Sequence, residues 1–145
     1  MAADPAVPVE IAAAVIEDRG RFLIARRPDH VILGGYWEFP GGKRRAGESL
    51  LACLAREVQE EVGIEINAAE PLDRVVHAYP HGVVDISFFQ CRFKAGTPRP
   101  LGCAEVRWVN GAELAAYRFP PANESVIGRL AGNPNSPRPV PPNAE

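Results

Sequence analysis

Apolar residues recur along the chain in short runs that are typical of β-strands. Residues 9–17 are rich in Ile, Val and Ala and predict a buried strand, and residues 21–26 predict a second strand that pairs with it across an Asp-Arg-Gly turn. Similar runs predict further strands at residues 73–78, 83–93 and 105–109. One stretch with helical periodicity separates the first hairpin from these later strands, so the order of elements indicates an α/β domain.

The helical stretch covers residues 49–62, where apolar side chains return every three to four positions. Ser49 is expected to cap its N-terminus, and Gly63 stands where a left-handed residue ends a helix. Because side chains at this spacing lie on one side of a helix, they predict the stripe that packs on the sheet. The predicted stripe consists of Leu51, Ala55, Val58 and Val62.

The C-terminal part of the chain predicts less regular structure. A short helical turn is expected at residues 114–117, followed by a helix whose N-cap is Asn123 or Ser125. Residues 132–145 are dominated by Pro and Asn and lack apolar periodicity, so they predict a disordered tail. A single domain is therefore expected to cover residues 1–131.

The composition is that of an ordinary globular protein, with 46% hydrophobic and 23% charged residues in a chain of 145. The net charge of −2 provides no basic field, so neither nucleic acid nor a membrane is expected as a partner. No apolar run in the sequence is long enough to span a bilayer. The three cysteines are widely spaced and lack a metal-binding pattern, which suits a reducing compartment and predicts a cytoplasmic location.

Three acidic residues of the predicted helix are the first candidates for chemistry. Glu57, Glu60 and Glu61 are spaced so that they share one side of the helix near its C-terminal end. Like charges at this spacing, close to the negative end of the helix dipole, cost about a few tenths of a kcal/mol in stability. A hard divalent cation such as Mg²⁺ takes such carboxylates as ligands, and substrate phosphates complete its coordination. The alternative interpretation is a solvated acidic face.

The residues around these acids form a spaced motif. Gly42 is followed after five residues by Glu48 and after seven more by Arg-Glu-Val at 56–58, with Glu-Glu at 60–61 and Gly-Ile at 63–64. This spacing resembles the Nudix box at every defined position, so the chain resembles the Nudix hydrolase family. The resemblance implies an α/β/α sandwich with a mixed β-sheet, and an enzyme that cleaves a nucleoside diphosphate linked to another group with Mg²⁺ or Mn²⁺. A phosphate-binding P-loop does not fit, because Glu48 stands where its lysine would be.

The resemblance also implies a role for each residue of the motif. The helix acids would be catalytic residues and metal ligands, the Gly42 carbonyl a further ligand, and Glu48 and Arg56 the residues that shape the loop and helix. These acids are Glu57, Glu60 and Glu61. Many relatives carry one more acid six residues before the tryptophan of the last strand, where this chain has Gly102. Glu105 is the nearest acid and the candidate to replace it as ligand or general base, with a solvated strand residue as the alternative.

Residues 37–43, Trp-Glu-Phe-Pro-Gly-Gly-Lys, precede the helix, and Phe-Pro-Pro-Ala-Asn-Glu opens the segment 119–130. Both segments resemble the MutT branch of the family, whose members remove 8-oxo-dGTP from the nucleotide pool. Arg27 would then contact the nucleotide as a phosphate ligand, because its guanidinium suits phosphate oxygens. Phe39 would lie beside the base, and Asn123 would read the oxidised guanine with its amide, which offers both donors and an acceptor. Each residue has a plainer interpretation as well: a solvated arginine, a core aromatic and a helix cap.

The combined resemblance predicts a metal-dependent pyrophosphohydrolase that cleaves 8-oxo-dGTP to 8-oxo-dGMP and pyrophosphate, as a monomer or a homodimer. One alternative is another nucleotide substrate, such as CTP or dCTP. A second alternative is a nucleotide-binding module without activity. The acids of the helix argue against that second alternative, because a protein that only binds nucleotides has no need of all three.

Overall fold

The computed structural model describes residues 7–132. In chain order it contains strands β1 (Val9–Asp18), β2 (Arg21–Arg26), β3 (Trp37–Glu38) and β4 (Gly41–Lys43), helix α1 (Leu50–Val62), strands β5 (Glu65–Tyr79), β6 (Gly82–Ala95) and β7 (Glu105–Asn110), and helix α2 (Glu124–Leu130). Two 3₁₀ segments, Gly111–Ala116 and Pro121–Asn123, connect β7 to α2. The predicted tail lies outside the described residues, apart from Gly132. No helix within the described range is long and apolar enough to cross a membrane.

The strands form one mixed sheet with β1 at its centre. β1 pairs in parallel with β6 along one edge, and its other edge pairs antiparallel with β4 near its start and with β2 at its end. β2 also pairs with β3 and β7, and β5 forms a long antiparallel pair with β6. Because Gly42 of β4 is the partner of Ala12, the glycine-rich loop before α1 is fixed at the middle of the sheet.

The side chains of β1 alternate between two cores, because a strand sends successive residues to opposite faces of its sheet. Val15 belongs to the core that includes Val126 of α2. Its neighbours Ala14 and Ile16 belong to the other core, which includes Leu54 of α1. The two helices therefore cover opposite faces of the sheet, which confirms the predicted α/β/α sandwich.

Helix α1 begins and ends as predicted, but its buried side differs in part. The Ser49 hydroxyl accepts a hydrogen bond from the Ala52 N–H at 3.0 Å, and Gly63 has the left-handed φ of 73°. Leu51 is 52% exposed and Ala55 is exposed too, so the prediction of these two as buried was wrong. The adjacent leucines at the start of the helix are compatible with two overlapping apolar stripes. Packing on the sheet buries the second of these stripes and not the predicted one. The buried residues of the helix are Cys53, Leu54, Val58, Glu61 and Val62.

Strand β5 is longer than predicted, because it begins at Glu65 and not near residue 73. Its pairing with β6 shifts register at three places between Glu65 and Asp73. Such irregularities insert unpaired residues and break the alternation of apolar and polar positions by which a strand is recognised. β3 and β4 were missed for a simpler reason, since strands of two and three residues are too short to show a period.

Candidate active site

Arg56 of α1 fastens the preceding loop to the helix. Its Nε and Nη2 donate to the two carboxylate oxygens of Glu48 at 2.7 and 2.9 Å, and Nη2 also donates to the Lys43 carbonyl at 3.2 Å. The Arg45 backbone N–H donates to the same carboxylate at 3.0 Å. Hydrogen bonds from Arg56 and then from Arg45 lower the pKa of Glu48 to about 2. Glu48 and Arg56 thus pair with each other, and the pair fixes the loop that carries Gly42 to the helix.

The same guanidinium contacts two of the three helix acids. Arg56 Nη1 donates to Glu57 Oε2 at 3.0 Å and to Glu60 Oε1 at 3.2 Å. The Glu57 side chain is mostly buried, whereas that of Glu60 is half exposed and lies 3.8 Å from the Arg45 guanidinium. These contacts offset the repulsion that neighbouring carboxylates on one helix would otherwise have.

Glu61 is the most buried of the acids, with 8% of its surface exposed. Its Oε2 accepts a hydrogen bond from the Gly41 N–H at 3.4 Å, while its buried Oε1 has no hydrogen-bond partner among residues 7–132. Burial, followed by the negative charge of Glu38, raises the pKa of Glu61 to about 8. A buried carboxylate oxygen in this state is unfavourable unless a donor or a cation binds to it.

The oxygens around Gly42 suit a divalent cation. Gly42 lies so close to Glu57 that a Cβ at this position would overlap the carboxylate. Hard cations take carboxylate and backbone carbonyl oxygens as ligands, and Glu57, Glu61 and the Gly42 carbonyl offer such oxygens. Within the described residues, however, no three His, Cys, Asp or Glu side chains are grouped so that they hold a metal ion. Glu57 and Glu60 instead accept hydrogen bonds from Arg56, and Glu61 accepts one from the Gly41 N–H.

A cavity of about 430 Å³ lies beside the glycine-rich loop, within the range of small-molecule sites. Gly41, Gly42 and Lys43 form part of its wall, and Asn123 lines the same cavity from the segment before α2. Much of the remaining wall is apolar and comes from β1 and β6. One space therefore connects the loop of the acid-bearing helix with the candidate base-reading amide.

Arg27 lines the cavity and is held in place by two hydrogen bonds. Its Nη1 donates to Glu38 Oε1 at 3.1 Å, and its Nε donates to the Ile32 carbonyl at 2.8 Å. Glu38 also lines the cavity and was missed by the sequence analysis. Burial raises the pKa of Glu38, and Arg27 opposes that shift. The signal in the sequence was an acid between the aromatic residues Trp37 and Phe39, because a charge in a buried stretch needs a partner.

Phe39 is both a core residue and part of the cavity wall. Its ring centroid lies 6.3 Å from that of Phe88 and 5.3 Å from that of Phe119. It is almost fully buried, yet one side of it faces the cavity. Its position is therefore compatible both with a core aromatic and with a residue that lies beside a bound base.

Asn123 is also buried, with 6% of its surface exposed. Its Nδ2 donates to the Pro120 carbonyl at 3.2 Å, and its side chain makes no capping hydrogen bond to α2. Ser125 does not cap the helix either, since its hydroxyl donates to Asp73 at 2.6 Å. Asn123 does stand at the N-cap position of α2, but neither side chain makes the predicted capping hydrogen bond, and α2 continues directly from the 3₁₀ turn Pro121–Asn123.

Glu105 has surroundings unlike those of the helix acids. Its Oε1 accepts a hydrogen bond from Arg26 Nε at 3.2 Å, and its Oε2 accepts one from Arg107 Nε at 2.7 Å. The hydrogen bond from Arg107, and then that from Arg26, lower the pKa of Glu105. Glu105 is not among the described residues that line the cavity. Gly102 lies against α1, where a Cβ would be 3.4 Å from Glu61 Cα, so an acid at that position would stand beside the helix acids.

A sequence profile of the NUDIX domain matches residues 11–129. The chain belongs to the Nudix family. It is 44% identical to an 8-oxo-dGTP diphosphatase of Proteus vulgaris over 56% of this chain and 73% of the relative. It is 34% identical to the 8-oxo-dGTP diphosphatase of Haemophilus influenzae over 84% of this chain and 90% of the relative. A CTP pyrophosphohydrolase of Escherichia coli is 32% identical over 79% of this chain and 85% of its own length.

The fold agrees with this membership. A solved structure from a study of MutT of Aliivibrio salmonicida and Vibrio cholerae has a TM-score of 0.70 and 30% sequence identity, and it covers 86% of this Nudix chain and 97% of its own. The protein is therefore a Nudix hydrolase that acts on a small nucleotide substrate. Nudix hydrolases generally need divalent metal ions, which agrees with the carboxylate and carbonyl oxygens beside Gly42.

Without divalent ions, we expect the protein to lose stability as the pH rises from about 5 to about 8. The Glu61 carboxyl has a pKa raised from 4.5 to about 8, so the folded state binds more protons than the unfolded state over this range. Stability is then highest below the unfolded pKa and is lost as the pH rises through the folded pKa. Melting temperatures in EDTA across this range, for the wild type and Glu61→Gln, measure the effect.

The Glu61→Gln variant is the control, because its side chain does not titrate. Its melting temperature should depend less steeply on pH than that of the wild type. A divalent cation that binds this carboxyl should raise the wild-type melting temperature more at about pH 8 than at about pH 5, since binding would require loss of the proton. Equal pH dependence of the wild type and the variant would contradict the assignment of the buried proton to Glu61.

Proposed function

We propose that this Nudix hydrolase cleaves 8-oxo-dGTP to 8-oxo-dGMP and pyrophosphate. The observation that carries the proposal is the cavity that Asn123 shares with the loop before the acid-bearing helix. One cavity is thus lined by an amide and by a loop that lies beside carboxylates. This arrangement suits a substrate with a base at one end and a triphosphate at the other. The two relatives named 8-oxo-dGTP diphosphatases support the same substrate.

The proposed cation is Mg²⁺, with Mn²⁺ as the alternative, and its ligands are Glu57, Glu60, Glu61 and the Gly42 carbonyl. A divalent cation in this position would neutralise phosphate charge and lower the pKa of a bound water. On binding, Glu61 would give up its proton and present the oxygen that has no partner within residues 7–132. Glu57 would use the space that the missing Cβ of Gly42 leaves.

Arg27 is proposed to bind a phosphate of the substrate. Glu38 and the Ile32 carbonyl hold its Nη1 and Nε, which orients the guanidinium at the cavity and leaves Nη2 without a partner within the described residues. A guanidinium fixed in advance loses less conformational entropy when it binds a phosphate. Phe39 would lie against the base, and Asn123 would bind the edge of that base.

The general base is proposed to be one of the α1 acids. Glu105 is the alternative, but its two oxygens already accept hydrogen bonds from arginines, and its lowered pKa makes it a weaker base. The acids of α1 lie next to the loop that lines the cavity, which favours them over Glu105.

A second candidate function is the hydrolysis of a pyrimidine nucleotide. The relative named CTP pyrophosphohydrolase covers nearly as much of the chain as the H. influenzae protein does, and at a similar identity. The choice between the two substrates therefore depends on the base that the cavity accepts. The same assay also addresses the third alternative, a module that binds nucleotides without cleaving them.

We expect the purified protein to release pyrophosphate from 8-oxo-dGTP in the presence of Mg²⁺, and EDTA to abolish the release. A panel of 8-oxo-dGTP, dGTP, CTP and dCTP, coupled to a pyrophosphatase and phosphate detection, measures kcat/KM for each nucleotide. Preference for 8-oxo-dGTP over dGTP should be about 10- to 200-fold. A preference for CTP would establish the pyrimidine alternative. Nucleotide binding without release of pyrophosphate, in both Mg²⁺ and Mn²⁺, would establish a module that binds nucleotides without cleaving them.

Glu61→Gln should lower kcat by about 10²- to 10⁴-fold, whereas Glu105→Gln should lower it by only a few-fold. The reason is that Glu61 lies beside the cavity loop, while Glu105 is bound between two arginines. Both variants replace a carboxyl group by an amide of nearly the same size. A loss on the order of 100-fold in Glu105→Gln would instead identify Glu105 as the base.

Asn123→Ala should reduce the preference for 8-oxo-dGTP over dGTP by about 10- to 200-fold, because two hydrogen bonds to the base would be lost. Asn110→Ala is the matched control. The Asn110 side chain caps the 3₁₀ helix Gly111–Ala116 by accepting a hydrogen bond from the Glu113 N–H at 2.9 Å. The control should lose about 1 kcal/mol of stability and keep the preference. The base-reading role is refuted if Asn123→Ala behaves like this control.

A further inference from the structure

Tyr79 is the last residue of β5 and lines the cavity together with His81 and Asn123. Its hydroxyl oxygen accepts a hydrogen bond from the Ala122 backbone N–H at 3.0 Å. Ala122 lies in the 3₁₀ turn Pro121–Asn123, so this bond joins the end of a strand to the turn that carries Asn123. Nothing in the box or in the resemblance to the MutT branch assigns a role to this tyrosine.

The ring of Tyr79 is fixed by its neighbours. The His81 ring stacks on it with centroids 5.1 Å apart and planes 8° apart, and the His77 ring lies 4.4 Å away. The side chain also packs against the core that contains α2. These contacts orient the ring so that its hydroxyl lies at the Ala122 N–H. Burial raises the pKa of Tyr79, so the hydroxyl keeps its proton at neutral pH.

The turn has few backbone donors with which it can be attached to the sheet. Pro120 and Pro121 have no N–H, and the Asn123 N–H is used within the turn, where it donates to the Pro120 carbonyl at 3.0 Å. The Ala122 N–H is therefore the donor that remains between the prolines and Asn123. Tyr79 provides its acceptor, which ties the backbone next to Asn123 to the end of β5.

We propose that Tyr79 is a positioning residue for base recognition: its hydroxyl holds the turn so that the Asn123 amide faces the cavity. The proposal rests on the proposed function, in which Asn123 reads the base. Hydrogen bonds weaken steeply as their angle departs from linearity, so a small shift of the turn reduces discrimination even when Asn123 itself is intact. Tyr79 acts through Asn123 and does not itself read the base.

Tyr79→Phe is the direct test, because it removes the hydroxyl and keeps the ring. The ratio of kcat/KM for 8-oxo-dGTP to that for dGTP should fall by about 3- to 10-fold, the effect of one lost hydrogen bond. Tyr117→Phe is the matched control. The Tyr117 hydroxyl lies 3.3 Å from Arg107 Nη1, and Tyr117 is not one of the described residues that line the cavity. This control should leave the ratio unchanged.

Two further measurements separate positioning from a general effect on stability. In a double-mutant cycle, Tyr79→Phe should change the ratio in the wild type but not in the Asn123→Ala background. The Ala122 N–H should exchange with solvent faster in Tyr79→Phe than in the wild type, as measured by NMR without substrate. The exchange measurement depends on the hydrogen bond alone and not on the identity of the substrate.

An unchanged ratio in Tyr79→Phe would overturn the proposal, even with a lower melting temperature. An equal loss of ratio in the Asn123→Ala background would overturn it too, because Tyr79 would then act independently of Asn123. If the wild type does not prefer 8-oxo-dGTP, the proposed function fails, and the cycle is repeated with the nucleotide that the wild type does prefer. Retention of that preference in Tyr79→Phe would overturn the positioning role separately.

Discussion

The contacts of Arg56 hold the acid-bearing helix and the glycine-rich loop in one unit. One guanidinium binds the carboxylates of Glu48, Glu57 and Glu60 and the backbone carbonyl of Lys43. Without this cation, the three carboxylates would repel one another, and the loop would lose its bidentate attachment to the helix. The bidentate geometry with Glu48 gives the pair a defined orientation, which an exposed monodentate ion pair lacks.

Glu61 shows that part of the helix is arranged for chemistry and not for stability. It occupies a position in the buried stripe of α1 where an apolar side chain would be more stable. Three groups of the loop that follows β6 donate to its backbone carbonyl: the N–H groups of Leu101 and Gly102 and the thiol of Cys103. The backbone at the helix end is therefore held firmly, while the Glu61 carboxyl lacks a full set of hydrogen-bond partners. A ligand that completes this set also stabilises the fold.

Features that depend on neighbouring residues could be predicted from the sequence, and features that depend on the sheet could not. The Ser49 cap and the Gly63 helix end follow from local backbone chemistry, and the spacing of the box identified the acids. The buried side of α1 was misjudged at Leu51, because two stripes fit the same periodicity and only packing distinguishes them. Glu105 faces Arg26 because of the register between β2 and β7, which no local pattern reveals.

The missed site residues have the same explanation. Glu38 and Tyr79 reach the cavity from strands that are far apart in the chain, and their partners lie 11 and 43 positions away. Asn123 was recognised by resemblance, but its alternative as a cap was reasoned locally and ignored the turn before it. Whether residues so far apart in the chain come into contact is decided by the topology of the fold and not by local propensity.

The central position of β1 has a consequence for how the protein is made. Val9 pairs with Val84, so β1 leaves the ribosome before its parallel partner, which lies about 75 residues downstream. At the usual rate of synthesis this takes roughly 4 to 15 seconds, and contacts so distant in the chain also form slowly once both strands are present. During that interval the backbone N–H and C=O groups on one edge of β1 have no parallel partner. The strand that centres the finished sheet is thus, in the nascent chain, an unpaired strand that is open to wrong pairing.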